Sequence, residues 1–121
     1  MADAGARFTV DVRVRLFAED TLAYGKGINR LLHLCREYHS LHKAAEEMRM
    51  SYRKALQIVQ RAERCFNRPL LERSIGGKDG GGSRLTVFGE ELVAAFSDIE
   101  AELDAAAREK VRRMIGSFTE K

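Results

Sequence analysis

The polar side chains between Ser51 and Gln57 have the chemistry needed to contact nucleic acid. Arginine can donate two hydrogen bonds to guanine, and glutamine can bond in the same bidentate way to adenine, so Arg53 and Gln57 are candidates for base contacts. Lys54 supplies positive charge that suits a phosphate. The full set of candidates in this run is Ser51, Tyr52, Arg53, Lys54 and Gln57.

The element that must position these side chains is a predicted helix that begins at Tyr52. Ser51 is a preferred N-cap residue, and apolar residues then recur at spacings of three and four, which is typical of an amphipathic helix. That apolar stripe consists of Ala55, Leu56, Val59, Ala62 and Phe66. The bland alternative is that the polar residues merely form the solvated face of such a helix.

Another predicted helix comes before the one that begins at Tyr52, and it favours the nucleic-acid interpretation. Helix-forming residues 42–48 are followed by the turn Arg49-Met50-Ser51, which predicts a helix-turn-helix. In that motif the second helix enters the major groove of DNA, with its N-terminal residues leading.

A glycine-rich segment supports the same interpretation. Residues 76–82 contain five glycines and lie between strand-like runs at 70–75 and 83–86, a pattern that predicts a β-hairpin, or wing. Arg73, Lys78 and Arg84 would supply charge for phosphates. A nucleotide-binding P-loop is excluded by spacing, because that motif needs a glycine, four further residues and then Gly-Lys-Ser/Thr, which this sequence lacks.

Charge is distributed unevenly along the chain. The formal net charge is +3, yet residues 49–86 hold nine basic residues against three acidic ones. From residue 87 to the end, eight acidic residues outweigh five basic ones. This asymmetry favours an anionic partner on one face of the molecule.

The string MSYRKALQIVQRAE and the later string RPLLERSIGGKDGGGSRLTVFGEEL carry a family resemblance. Over residues 31–99 the chain resembles the DNA-binding domain of the ModE family of molybdate-responsive transcription regulators and, more distantly, the LysR-type winged helix-turn-helix. The resemblance implies a dimeric regulator with the helix from Ser51 in the major groove, the wing around Lys78 on the DNA backbone and a long C-terminal dimerisation helix. The chain departs from the family pattern at Arg49, Leu56 and Asp79.

Family members that sense molybdate carry the anion in C-terminal domains, whereas this sequence ends at Lys121. We therefore expect no molybdate site within this chain and no cofactor. The sequence is then either a DNA-binding member that stands alone or a fragment of a longer regulator.

The N-terminal part predicts a strand over residues 8–18. Phe8, Val10, Val12, Val14 and Leu16 alternate with mostly polar residues, the period-two pattern of a half-buried strand. Because a strand needs a partner, we expect it to join the wing strands in a small antiparallel sheet. A helical run after Gly27 then supplies the first helix of a three-helix core.

The last segment predicts a long dimerisation helix over residues 87–111. Its apolar positions are spaced four, three, four and three, like the a/d seam of a heptad repeat. They are Leu92, Phe96, Ile99, Leu103 and Ala106. The alternative is that this seam packs on its own domain.

Together these features predict one domain over residues 1–121, mainly α with a small antiparallel sheet: a winged helix-turn-helix whose core and wing span 27–86. The predicted function is that of a transcription regulator binding double-stranded DNA as a homodimer on a pseudo-palindromic operator. Genes of molybdate transport or molybdenum metabolism are the targets that the resemblance implies. The alternative function is a winged-helix module that binds another protein.

Other chemistry is scarce in the sequence. Cys35 and Cys65 form no Cys-x-x-Cys pair and fall on apolar helix faces, which predicts buried thiols in a reducing compartment. His33, His39 and His42 lack further ligands at metal spacing, and no nucleophile and base are paired, so we predict neither a metal site nor an enzyme. No apolar run approaches the length of a membrane span, and we expect a cytoplasmic protein.

Overall fold

The computed structural model describes residues 7–73 and 82–119. Within these residues, four helices and four short strands follow one another in the order β1, β2, α1, α2, α3, β3, β4, α4. The helices are α1 (Lys26–Tyr38), α2 (Leu41–Glu47), α3 (Tyr52–Phe66) and α4 (Val87–Thr119), and the strands are β1 (Leu16–Ala18), β2 (Thr21–Tyr24), β3 (Leu71–Arg73) and β4 (Ser83–Leu85). The predicted class, a mainly α winged helix with a long C-terminal helix, is confirmed.

Helices α1, α2 and α3 form the core. Leu31, Leu32 and Cys35 of α1 are completely buried against Ala44 and Ala45 of α2 and the apolar stripe of α3. Small alanines at the α2 and α3 contacts let these helices approach closely. The predicted three-helix core is thus present, and its first helix begins at Lys26.

The N-terminal strand differs from the prediction in both length and partner. It covers only Leu16–Ala18 and pairs with Thr21–Tyr24, whereas the wing strands form a separate two-stranded sheet. The connection is the two-residue turn Glu19-Asp20, with Glu19 in the left-handed region at φ 55°. Sequence reasoning missed this hairpin because tight turns with positive φ usually contain glycine or asparagine.

Residues 7–15 keep the alternating pattern without forming a strand. Val10, Val12 and Val14 are half-buried, while the residues between them are exposed. Part of this segment faces the distal half of α4, because Phe8 and Val10 line one cavity together with Val111 and Ile115.

The wing strands lie close to where they were predicted. β3 and β4 are antiparallel, with Leu71 opposite Leu85, Glu72 opposite Arg84 and Arg73 opposite Ser83. Residues 74–81, which include Lys78 and all of the predicted hairpin tip except Gly82, lie outside the described residues.

Helix α4 is longer than predicted and leaves the core early. Its 33 residues make it about 50 Å long. Its buried residues are Gly89, Val93 and Phe96, all in the first third of the helix. The rest of α4 therefore extends beyond the three-helix core.

A polar cluster fixes the start of α4 on α1. Asn29 is a buried polar residue of α1; it accepts a hydrogen bond from the Tyr24 hydroxyl and donates one to Ser97 Oγ of α4, at 3.1 Å. Burial, together with the nearby charge of Glu100, raises the pKa of Tyr24 well above its ordinary value, so the phenol stays a neutral donor. At the surface, Arg36 and Glu90 join the same two helices in an ion pair at 2.7 Å.

Candidate nucleic-acid interface

The turn between α2 and α3 is built from side-chain caps. The hydroxyl of Ser40 accepts the Lys43 N–H at 3.1 Å and begins α2, and Ser51 Oγ accepts the Lys54 N–H at 3.0 Å and begins α3. Between the helices Arg49 adopts a left-handed conformation, at φ 57°, and the Met50 N–H returns to the Ala45 carbonyl at 3.0 Å. The predicted helix start at Tyr52 is confirmed.

The outer face of α3 carries the predicted contact residues. Arg53, Lys54 and Gln57 are exposed, while Ala55 and Val59 on the opposite face are buried. None of these three polar side chains forms an ion pair with another part of the described chain. They are therefore available to an external partner.

A stack of side chains that the sequence did not predict organises the start of this face. The His42 ring of α2 lies flat on the Tyr52 ring, with centroids 3.7 Å apart and planes 5° from parallel. The Arg73 guanidinium of β3 lies over the Tyr52 ring at 5.7 Å. Tyr52 thus joins α3 to α2 on one side and to the wing on the other. No sequence signal indicated this contact, because His42 and Tyr52 lie on different helices.

The base of the wing is fixed by backbone hydrogen bonds. The Glu63 carboxylate of α3 accepts the N–H groups of Leu70, at 2.7 Å, and Leu71, at 3.3 Å. On the other strand the Ser83 N–H donates to the His39 carbonyl at the end of α1, at 3.1 Å. Glu63 is one of the few acidic residues in the basic region, and these bonds explain its presence there.

The strand register separates two of the predicted phosphate contacts. Arg73 and Arg84 occupy neighbouring cross-strand pairs, so their side chains point to opposite faces of the ribbon. Arg73 lies on the Tyr52 side, whereas Arg84 lines a cavity with Arg36, His39 and Glu90. The structure therefore places Arg73 beside Tyr52, at the start of the helix that also carries Ser51, Arg53, Lys54 and Gln57, but places Arg84 on a different surface.

The predicted dimerisation residues also divide into two groups. Phe96 is 2% exposed and packs edge-on against Tyr24, with ring centroids 5.0 Å apart, and Leu92 packs against the same core. These two residues pack in the chain's own core, and their contact with a second copy stays a prediction. By contrast Ile99, at 42% exposure, Leu103, at 45%, and the exposed Ala106 have no such cover.

The two cysteines differ in environment. Cys35 is fully buried, and burial raises the pKa of its thiol to about 11. Cys65 is only half-buried, which corrects the expectation that both thiols are buried. No group of three or more histidine, cysteine, aspartate or glutamate side chains within residues 7–73 and 82–119 is placed to hold a metal ion.

The fold and this site define a winged helix-turn-helix protein. No protein-family model matches the chain. It is 37% identical over 71 residues to the transcriptional regulator ModE of Haemophilus influenzae, an alignment that covers 59% of this chain and 28% of that protein. It is 31% identical over 101 residues to the molybdenum transport protein ModE of Azotobacter vinelandii, covering 84% of this chain and 35% of that protein. The DNA-binding transcriptional dual regulator ModE of Escherichia coli K12 is 28% identical over 99 residues, with 82% and 35% covered.

These matches place the chain in the ModE family. The chain spans about a third of the length of the ModE relatives it matches. These relatives are named as transcription regulators and a molybdenum transport protein, not as enzymes. In the part of the chain that the structure describes, no helix combines the length and apolar character needed to cross a membrane.

Proposed function

We propose that the protein is a sequence-specific transcription regulator that binds double-stranded DNA as a homodimer. The observation that carries this proposal is the exposed basic face at the start of a capped helix, adjoining Arg73 of the wing across the Tyr52 ring. This arrangement matches the way in which helix-turn-helix proteins present a recognition helix to the major groove.

Within this face the side chains divide by chemistry. Arg53 and Gln57 are one turn apart on the exposed side of α3, and both have paired donors or a donor and acceptor suited to base edges. Lys54 carries a compact ammonium charge and Arg73 a planar guanidinium with paired donors, and both suit phosphates. Phosphate contacts of this kind position a protein on the duplex. Lys78 and Arg84 remain phosphate candidates, the former on its sequence position in the predicted wing tip and the latter on the far side of the ribbon.

The distal part of α4 supports the homodimer. Beyond Phe96, α4 has no residue buried by the described chain, yet it presents Ile99, Leu103, Met114 and Phe118 as exposed apolar side chains. A two-fold pairing of these helices would cover this surface and hold two copies of α3 in a fixed relation. Such a dimer reads a pseudo-palindromic operator with half-sites about one helical turn apart.

The names of the relatives suggest the regulated genes. Because one ModE relative is named a molybdenum transport protein and others are named transcriptional regulators, we propose genes of molybdate transport or molybdenum metabolism as targets. We do not assign a molybdate site to this chain.

Selection of bound sequences from a random duplex pool tests the proposal. The purified protein is incubated at one fixed salt concentration, with and without molybdate, because phosphate contacts make affinity depend on salt. We expect an inverted repeat to be enriched in both arms. Absence of any enriched sequence would contradict the proposed function. A repeat enriched only with molybdate would show that this chain responds to the anion, and would contradict the expectation that it has no molybdate site.

Arg53→Ala then tests base reading on the selected operator. We expect specific affinity to fall by about 1–3 kcal/mol and preference to relax at one operator position, because a bidentate base contact is lost. Arg113→Ala is the matched control, since it removes the same charge from an exposed site near the far end of α4. Fluorescence anisotropy on the operator and its single-base variants measures both effects. An unchanged preference in Arg53→Ala would remove Arg53 from the set of base-reading residues.

A further inference from the structure

A cavity of about 300 Å³ lies between the β1–β2 hairpin, the start of α1 and α3. Its floor is apolar, formed by side chains that include Val14, Leu22 and Ile58. Four basic residues also line it, namely Arg13, Arg15, Lys26 and Arg61, and none of its lining residues is acidic. An apolar floor with a few convergent polar groups is the usual composition of a small-molecule site, and the volume lies at the lower end of the usual range.

Arg61, one of the lining residues, has a hydrogen-bond donor without a partner among the described residues. This donor is its Nε, which is buried. Buried donors of charged groups are normally paired, because an unpaired one costs free energy. Arg61 is not part of the apolar stripe predicted for α3, yet it is half-buried and lines the cavity together with residues of the hairpin.

The other cations around the cavity are only partly neutralised. Arg13 pairs with Asp11 at 3.0 Å, and the Arg15 guanidinium lies over the Phe17 ring at 5.6 Å. Lys26 and Arg61 form no ion pair within the described ranges. The first turn of α1 adds to this positive potential, since it contains no acidic residue and its N-cap, Gly25, has no side chain to cap it.

We propose that this cavity binds a small organic anion. The carboxylate of the ligand would pair with the Arg61 guanidinium and with Lys26, while its apolar body would lie on Val14, Leu22 and Ile58. The apolar floor distinguishes this ligand from a bare phosphate, which would leave the floor uncovered. Arg61 lies on the same side of α3 as Lys54, about 10 Å further along the helix and one turn beyond Gln57. The cavity therefore adjoins the C-terminal end of the proposed DNA-contacting face.

Two-dimensional NMR of the uniformly ¹⁵N-labelled protein tests the proposal, with benzoate as the probe. We expect benzoate to shift the amide signals of Gly25, Gly27 and Arg61 in a saturable way. Neutral benzamide, which has the same ring without the charge, should bind at least tenfold more weakly, as should inorganic phosphate, which has the charge without the ring. Benzamide binding as tightly as benzoate would overturn the ionic part of the proposal, and equal binding of phosphate would overturn the organic part.

Two pairs of variants locate the site. Arg61→Met keeps the aliphatic length and should raise the dissociation constant of benzoate at least fivefold, whereas Arg64→Met, an exposed arginine one turn further along α3, should leave it unchanged. Gly27→Asp should abolish benzoate binding by placing a carboxylate at the cavity, where a Cβ meets no atom within 4 Å. Gly27→Asn is its neutral match and should still bind.

The same spectra confirm that each variant is folded before its affinity is compared. Equal effects of Arg61→Met and Arg64→Met would overturn the site. So would an Arg61→Met protein that binds benzoate normally but loses affinity for a random DNA duplex, because the residue would then contact the DNA backbone.

Discussion

At the scale of single residues, Tyr52 occupies the most connected position on the candidate interface. Its ring is stacked on His42 and covered by the Arg73 guanidinium, so three elements meet at one side chain. Tyr52 is half-buried, whereas His42 and Arg73 are both exposed. The neighbours therefore restrict the ring without removing it from reach of DNA. We infer that His42 positions Tyr52, and through it the first turn of α3.

His42→Ala should weaken binding to the selected operator by about 2-fold to 10-fold, since an aromatic pair contributes about 0.5–1.5 kcal/mol. His42→Phe should restore affinity, because a phenyl ring can stack on Tyr52 in the same way. Fluorescence anisotropy on one operator duplex measures both variants. If His42→Phe bound as weakly as His42→Ala, the imidazole itself would contact DNA and the positioning role would be wrong.

Cys35 and Cys65 should react very differently with a thiol reagent. The raised pKa of Cys35, about 11, keeps it as a thiol in the folded state, and burial excludes the reagent. In the unfolded chain a cysteine ionises near pH 8.5, so the stability that this protonated thiol contributes is complete below about pH 8.5 and is lost as pH rises towards 11.

The measurement is labelling with a chromogenic disulfide at pH 8, with and without urea. We expect one fast thiol in the folded protein and two in urea, and Cys65→Ser should remove the fast one. Rapid labelling of the folded Cys65→Ser protein would show that Cys35 is accessible.

At the scale of elements, the sequence predicted features that depend on neighbouring residues along the chain, but not those that depend on contacts between separate elements. The cap at Ser51 and the three- and four-residue spacing in α3 involve neighbours along the chain, and both predicted α3 correctly. The partner of the N-terminal strand depends on the turn Glu19-Asp20, which contains neither of the residues, glycine and asparagine, that usually indicate a tight turn. In the same way, the stack on Tyr52 and the position of Arg61 beside the hairpin involve residues from different elements. The periodicity of one segment of sequence cannot predict such contacts.

The junction of the wing with α4 shows how closely two elements can approach. The hydroxyl of Thr86 donates to the Pro69 carbonyl at 2.8 Å and accepts the Gly89 N–H at 2.9 Å, which caps α4 against the wing. A Cβ on Gly89 would lie 2.5 Å from the Leu70 carbonyl oxygen, a backbone atom with no freedom to move aside. Gly89 is therefore required by proximity, not by an unusual backbone angle.

Gly89→Ala should destabilise the fold by about 1–3 kcal/mol, because the added methyl group forces the wing away from α4. Gly116→Ala in the same helix is the matched control, since a Cβ there meets no atom within 4 Å. It should stabilise by about 0.5–1 kcal/mol, as alanine favours a helix interior. Urea unfolding followed by circular dichroism compares the two, and a Gly89→Ala protein as stable as Gly116→Ala would contradict the close contact.

At the scale of the whole molecule, the apolar seam of α4 serves two purposes in succession. Its first part, Leu92 and Phe96, closes the core of the chain, and the second part, Ile99 and Leu103, continues into solvent. The heptad spacing alone could not divide the seam, because both uses require the same repeat. The division becomes visible only where the three-helix core ends.

Leu103→Asp should convert the proposed dimer to a monomer while leaving the core intact. Placing a carboxylate in a helix–helix seam costs about 3 kcal/mol or more, which corresponds to a dimer dissociation constant raised at least about 100-fold. Val87→Asp is the control, because Val87 is 76% exposed in the first turn of α4, where an acidic residue is favourable. Sedimentation equilibrium should give half the wild-type mass for Leu103→Asp and the full mass for Val87→Asp. Affinity for the full inverted repeat should fall with the mass, while affinity for a single half-site should be retained. A dimeric Leu103→Asp protein would place the dimer interface elsewhere on the molecule. Dimerisation would then not explain why Ile99 and Leu103 are exposed.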